Sequence, residues 1–173
     1  MSKVYTLEEN LGLLNRVIDE NEEFHWLKDY NVRFAIVYIL NTTKDGETIP
    51  AFQSLPYRVK VNSAKDRCIK HIDVEIHIDE SYFNEADDEE KEAVIFGALS
   101  QLEVKCKDGM PILQDDGVVK LILKKPDMAF EGFSVCASKY RTKSPEHKAF
   151  TQLTAEFNDI LLWIKGEELN HNG

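Results

Sequence analysis

Asp87-Asp88-Glu89-Glu90-Lys91-Glu92-Ala93-Val94-Ile95-Phe96-Gly97-Ala98-Leu99-Ser100-Gln101-Leu102 is the stretch on which the fold turns. Asp87 and Glu90 stand in the D-x-x-E spacing of a capping box, in which each side chain accepts the other residue's backbone N–H at a helix start. Behind that cap, Ala93 to Leu102 is apolar nearly all round, whereas a surface helix shows one apolar stripe and a polar back. Such a helix has to be buried on every side, which predicts a central helix with other elements packed around it.

Upstream of the helix, His71-Ile72-Asp73-Val74-Glu75-Ile76-His77-Ile78 alternates strictly. The two-residue period of a strand puts the aliphatic residues on one face and His71, Asp73, Glu75 and His77 on the other. That polar row is either a half-exposed strand face or a surface for metal or substrate. Tyr57 to Val61 and Val32 to Leu40 are further expected strands, the latter followed by the turn formers of Asn41 to Gly46. At the front of the chain, Thr6 precedes Leu7-Glu8-Glu9, and Leu7, Leu11, Leu14 and Ile18 recur at helical spacing. This predicts an amphipathic first helix capped by Thr6.

Downstream, Asp108-Gly109 and Asp116-Gly117 are turn signals around two expected short strands, Pro111 to Leu113 and Val118 to Leu123, paired antiparallel. Pro126-Asp127 is expected to open a helix running to Tyr140. Ser144 as N-cap with Pro145 at the first helical position opens a last helix over 145–164. Phe150, Leu153, Phe157, Ile160 and Ile164 share one stripe of it, which serves core packing or, with Phe157 and Ile164, a partner or homo-oligomer contact. Residues 166–173 read as a flexible tail. The fold class expected is α+β: a small mixed or antiparallel sheet against a buried central helix, with amphipathic N- and C-terminal helices, in one domain spanning 1–173.

Composition narrows the partners. The 173 residues carry 31 Asp and Glu against 21 Lys and Arg, a formal net charge of -10. Direct nucleic-acid binding needs a Lys/Arg surface and is not expected. The acids gather in runs that supply Asp73, Glu75, Glu85, Asp87, Asp88 and Glu89 as candidate contacts to a basic protein partner. Three widely spaced cysteines, Cys68, Cys106 and Cys136, form no C-x-x-C and read as reduced thiols. Of these, Cys68 is expected to be a buried structural cysteine. With no apolar run of membrane length and no leader-like N-terminus, the cytoplasm is the expected compartment.

The order of strand, capped acidic turn, buried helix, short strand pair and Pro-Asp helix resembles the putative phage metallopeptidase family. The residues carrying it are Asp87 to Ile95, Lys124-Lys125-Pro126-Asp127, Glu131-Gly132-Phe133 and Ser144-Pro145-Glu146, within 32–146. The resemblance implies a helix bearing L-x-H-E-x-x-H, two zinc-binding histidines one turn apart with a glutamate beside the bound water. Aligned on Glu92 to Ile95, those positions hold Gly97, Ala98 and Gln101. Glycine and alanine offer no ligand and no proton shuttle. Gly97 also costs about 0.5–1 kcal/mol against alanine inside a helix, which points to a close approach there by a neighbouring strand or to the cleft of the family's site. The implied third ligand falls near Asp127, which is more simply read as an N-cap.

Other chemistry finds little support. His71 and His77 stand about 20 Å apart on a strand, too far to share a metal. No phosphate-binding glycine loop is present, and Asp115-Asp116-Gly117 lacks the remaining ligands of a calcium loop. The expectation is a non-catalytic, cofactor-free, metallopeptidase-like phage protein that binds a host protein, such as a defence or nucleic-acid enzyme. The alternatives are a hydrolase with a rearranged metal centre and a structural homo-oligomer subunit.

Overall fold

A computed structural model describes residues 2–114, 116–125 and 133–152. Its centre is the strand that alternation predicted. Val74, Ile76 and Ile78 are wholly buried on one face of it. It is shorter than expected, because His71 adopts a left-handed conformation (φ 55°) that ends a helix, Ala64–Lys70, which sequence patterning does not show.

The chain order is β1 (Ser2–Leu7), α1 (Gly12–Glu20), α2 (His25–Asp29), β2 (Phe34–Thr42), β3 (Thr48–Ile49), β4 (Tyr57–Val61), α3 (Ala64–Lys70), β5 (Val74–Asp79) and α4 (Glu80–Glu85). There follow α5 (Asp88–Ser100), β6 (Leu102–Val104), β7 (Cys106–Lys107), β8 (Met110–Pro111), β9 (Leu121–Leu123), α6 (Ser134–Tyr140) and a last helix, α7, described over 145–152. The main sheet runs β1-β2-β5-β4, with β3 added to the end of β2. β2 and β5 are parallel; the other pairs are antiparallel. The molecule is α+β with a mixed sheet, as expected.

The predicted capping box is present in both directions: Asp87 Oδ1 accepts the Glu90 amide at 2.9 Å, and Glu90 Oε2 accepts the Asp87 amide at 3.2 Å. From Ala93 to Ser100 every residue of α5 is buried. The sheet lies on one side of it and α1 and α6 on others. Phe96 is gripped edge-on by Phe24 and Tyr140, with ring centroids 4.9 and 5.4 Å away. Aromatic pairs in this geometry add to the burial energy.

Four expectations are corrected. Thr6 and Leu7 belong to β1, since Val4-Tyr5-Thr6-Leu7 pairs with β2, and Leu7 is 60% exposed rather than part of a buried stripe. The helix starts at Gly12, after an Asx turn in which Asn10 Oδ1 accepts the Gly12 amide. The strand pair flanking Asp116-Gly117 is antiparallel but reduced to one bridge, Leu113 to Val119. The regular ladder forms instead between β6 and β9. Cys68 is exposed on α3; Cys136 is the buried cysteine. The expected start of a helix at Pro126-Asp127, the stripe from Leu153 to Ile164 and the tail over 166–173 lie outside the described residues, while the predicted helix end at Tyr140 agrees with α6.

Candidate functional site

At the C-terminal half of α5, Gly97 and Gln101 lie one turn apart toward β4 and the start of α7. Tyr57, the first residue of β4, points its hydroxyl at the Gly97 backbone and donates a 2.6 Å hydrogen bond to Glu146 Oε1. Both partners are sealed from solvent: Tyr57 is 4% exposed and Glu146 0%. Ser144 places the carboxylate by capping α7, its hydroxyl accepting the His147 amide at 2.9 Å. Glu146 thus sits in the first turn of α7, where the unpaired N–H groups and the helix dipole favour an acidic side chain.

Gly97 is what admits this pair. A Cβ there would overlap the Tyr57 hydroxyl oxygen and stand 2.7 Å from Glu146 Oε1. The glycine therefore reflects a close approach by a strand, as its helix-interior position suggests, and by a carboxylate as well. Burial first, and Glu146 second, push the Tyr57 phenol well above its ordinary value. The Gln101 side chain acts against them and lowers it. Cys136, on α6, closes the remaining side: its thiol donates to the Ala93 carbonyl at 3.3 Å, and burial and then Glu146 raise its pKa far out of the working range. A thiol held protonated in this way is no nucleophile.

Beside the pair a cleft of about 450 Å³ opens between β4, the end of α5 and β9, lined by Phe52, Leu55, Tyr57, Arg58, Gln101 and Phe133, with Lys124 at its rim. Arg58 lies over the Phe52 ring, 5.3 Å from its centroid.

Zinc does not fit these residues. Gly97 and Ala98 carry no donor atom, and the volume a histidine at 97 would need is occupied by the Tyr57 hydroxyl and Glu146. Among the described residues, no three His, Cys, Asp or Glu side chains are grouped to hold a metal ion. Asp127 lies outside the described residues.

The acidic candidates divide. Asp73 is 1% exposed, held by Arg33 at 2.9 Å and facing the buried Arg67 at 3.6 Å. Arg67 in turn reaches Asp116 at 2.6 Å, tying α3 to the turn before Gly117. Glu75 is 7% exposed and bonded to Lys70 at 2.6 Å, Asn62 at 3.1 Å and His77 at 3.2 Å. Burial pushes its carboxyl up, but those bonds outweigh it and hold the group at about 2. Neither acid is available to a partner: this face of β5 is an ion-pair network rather than an open surface. Asp87 is taken up by its cap and by Lys143. Glu85, Asp88 and Glu89 are solvent-exposed, and Glu85 lines a second cleft with Tyr82 and Lys148. Phe157 and Ile164 lie outside the described residues.

From sequence, Tyr57, Glu146 and Cys136 had no role at a site: Glu146 carried part of the family resemblance and Cys136 was one of three reduced thiols. Tyr57 reads as a strand residue; its meeting with Glu146 spans 89 positions, and only the glycine between them left a local sign.

A family model described as putative phage metallopeptidase matches residues 5–158. No curated protein and no solved structure matches the chain. Among the described residues, no helix is long and apolar enough to cross a membrane.

Proposed function

The chain belongs to the putative phage metallopeptidase family, and within it we propose that this protein is a non-catalytic member that acts by binding a basic surface of another protein. The carrying observation is the Tyr57–Glu146 hydrogen bond lying across Gly97, in the volume where the first zinc-binding side chain would stand. The ligand positions have become a packing site. Gly97, Ala98 and Gln101 stand where the first ligand, the proton shuttle and the second ligand would be, and the buried helix avoids the desolvation cost of polar groups with no metal to satisfy them.

A binding role draws support from charge. A net charge of -10 with Glu85, Asp88 and Glu89 exposed near the N-terminus of α5 attracts cationic protein surfaces, and it repels nucleic acid. Enzymes that grip nucleic acid carry the complementary charge, so a host defence or nucleic-acid enzyme is the class of target proposed, met in the host cytoplasm. Binding of this kind weakens with salt.

Two measurements test the reading. Zinc content after dialysis should fall to background, and a stoichiometric, dialysis-resistant zinc would overturn the non-catalytic assignment. Capture of a host protein should be lost when Glu85, Asp88 and Glu89 are together replaced by Lys. A capture indifferent to that reversal and to salt would remove the acidic face as the binding surface.

A further inference from the structure

β1 is an edge strand with nothing on its outer side among the described residues. All six of its residues are exposed, and its apolar members are conspicuous: Val4 is 51% exposed, Tyr5 61% and Leu7 60%. Edge strands are normally short, charged or bulged, because open N–H and C=O groups template pairing with another chain. β1 is long for an edge, regular in register from Ser2 to Leu7, and carries a single charge, Lys3.

Which groups are open follows from the ladder. The Glu8 amide donates to the Ile36 carbonyl, so in the antiparallel pairing with β2 the even-numbered residues turn their backbone groups inward. Lys3, Tyr5 and Leu7 turn theirs outward. Their side chains share the sheet face on which Val37 and Ile39 of β2 lie opposite Leu7 and Tyr5. Tyr5 and Leu7 therefore meet no cross-strand neighbour on their open side.

We propose that β1 is a self-association edge, at which two copies of this chain pair antiparallel about a two-fold axis at Thr6 and join their sheets into one. The occupant is a second copy because this edge is complementary to itself. Pairing about Thr6 sets Tyr5 of each copy against Leu7 of the other, two apolar cross-strand pairs on one face. It also brings Lys3 of each copy toward Glu9 of the other, both exposed, two opposite-charge contacts in a molecule that otherwise repels its twin. The outward backbone groups of Tyr5 and Leu7 fall in register to exchange hydrogen bonds. β1 is already ordered by β2, so little chain entropy is lost on pairing. Symmetric pairs of this kind close on themselves and stop at two.

The test is sedimentation of the full chain over a wide concentration range, with amide hydrogen exchange. Wild type should show a monomer–dimer equilibrium, with Tyr5 and Leu7 amides protected at high concentration and open at low. Tyr5→Pro removes a donor that faces away from β2, so it should leave the fold intact by circular dichroism and abolish the dimer. Leu7→Lys provides the same reading without a backbone change. Lys3→Glu should raise the dissociation constant several-fold and the double variant with Glu9→Lys should restore it. A wild type that stays monomeric at every concentration overturns the proposal, including the case in which the edge takes a strand from a foreign protein. So does a dimer that survives both Tyr5→Pro and Leu7→Lys in folded protein. Either result leaves the non-catalytic reading untouched.

Discussion

The Tyr57 hydroxyl and Glu146 Oε1 are joined at 2.6 Å over the Gly97 backbone, so that a strand, the central helix and the C-terminal helix converge on one buried contact.

Gly97→Ala should destabilise the protein by about 1–3 kcal/mol, the usual range for overpacking, even though alanine is favoured over glycine in a helix by about 1 kcal/mol. Gly97→Leu should be worse. Chemical denaturation gives the value, and a stability equal to wild type for Gly97→Leu would show that the contact yields freely.

Tyr57→Phe removes one hydrogen bond from a buried carboxyl group and should cost about 1–3 kcal/mol, while Glu146→Gln keeps an acceptor for the Tyr57 hydroxyl and should cost less. Comparing the two denaturation midpoints decides whether the bond or merely the volume is needed. Wild-type midpoints for both would show that volume suffices, since neither change alters it much.

Asp73→Ala leaves the 2%-exposed Arg67 facing an empty site, its remaining ion pair being with the half-exposed Asp116. Breaking a buried pair on one side costs about 3–5 kcal/mol. Thermal unfolding should report the larger drop for Asp73→Ala, which takes a buried partner from both Arg33 and Arg67, and a smaller one for Asp116→Ala, which leaves Arg67 its ion pair with Asp73.

Glu75 gives the acid limb a signature. Its carboxyl is held at about 2, below the ordinary 4.5, so the folded protein binds that proton less tightly than the unfolded chain. The stability it contributes is complete above about 4.5 and is lost as pH falls toward about 2. Glu75→Gln should flatten the fall of unfolding free energy across that window. An unchanged pH slope would place the acid sensitivity elsewhere.

Cysteine accessibility offers a simple check of the packing. Cys68 and Cys106 are exposed and Cys136 is buried with its thiol held protonated. A thiol reagent should modify two sites in native protein and the third only on unfolding. Rapid native labelling of Cys136 would contradict the sealed site.

Much of the fold was legible locally. The alternation of Val74, Ile76 and Ile78, the two-way cap of Asp87 and Glu90, and the all-round apolarity of Ala93 to Leu99 each report a period or a hydrogen bond that operates within a few residues. Such signals survive folding unchanged. The misreadings arose where local chemistry was ambiguous. Thr6 and Leu7 suit a strand as well as a helix start, and the partner strand β2 decided. The polar row from His71 to His77 stayed open between a half-exposed face and a binding surface because alternation reports only that two faces differ; Arg33, Arg67 and Lys70 bury the carboxylates of Asp73 and Glu75, while His71 is exposed and His77 half-buried.

For the site, the amino-acid order determined which side chains stand on this stretch of the central helix: Gly97 and Ala98 bring no donor atom and Gln101 only a neutral amide, whatever surrounds them. Tertiary structure decided what packs against them. Tyr57 and Glu146 are ordinary residues of a strand and a helix start, and they become a site only because the chain closes around Gly97, where the absence of one Cβ leaves room for both.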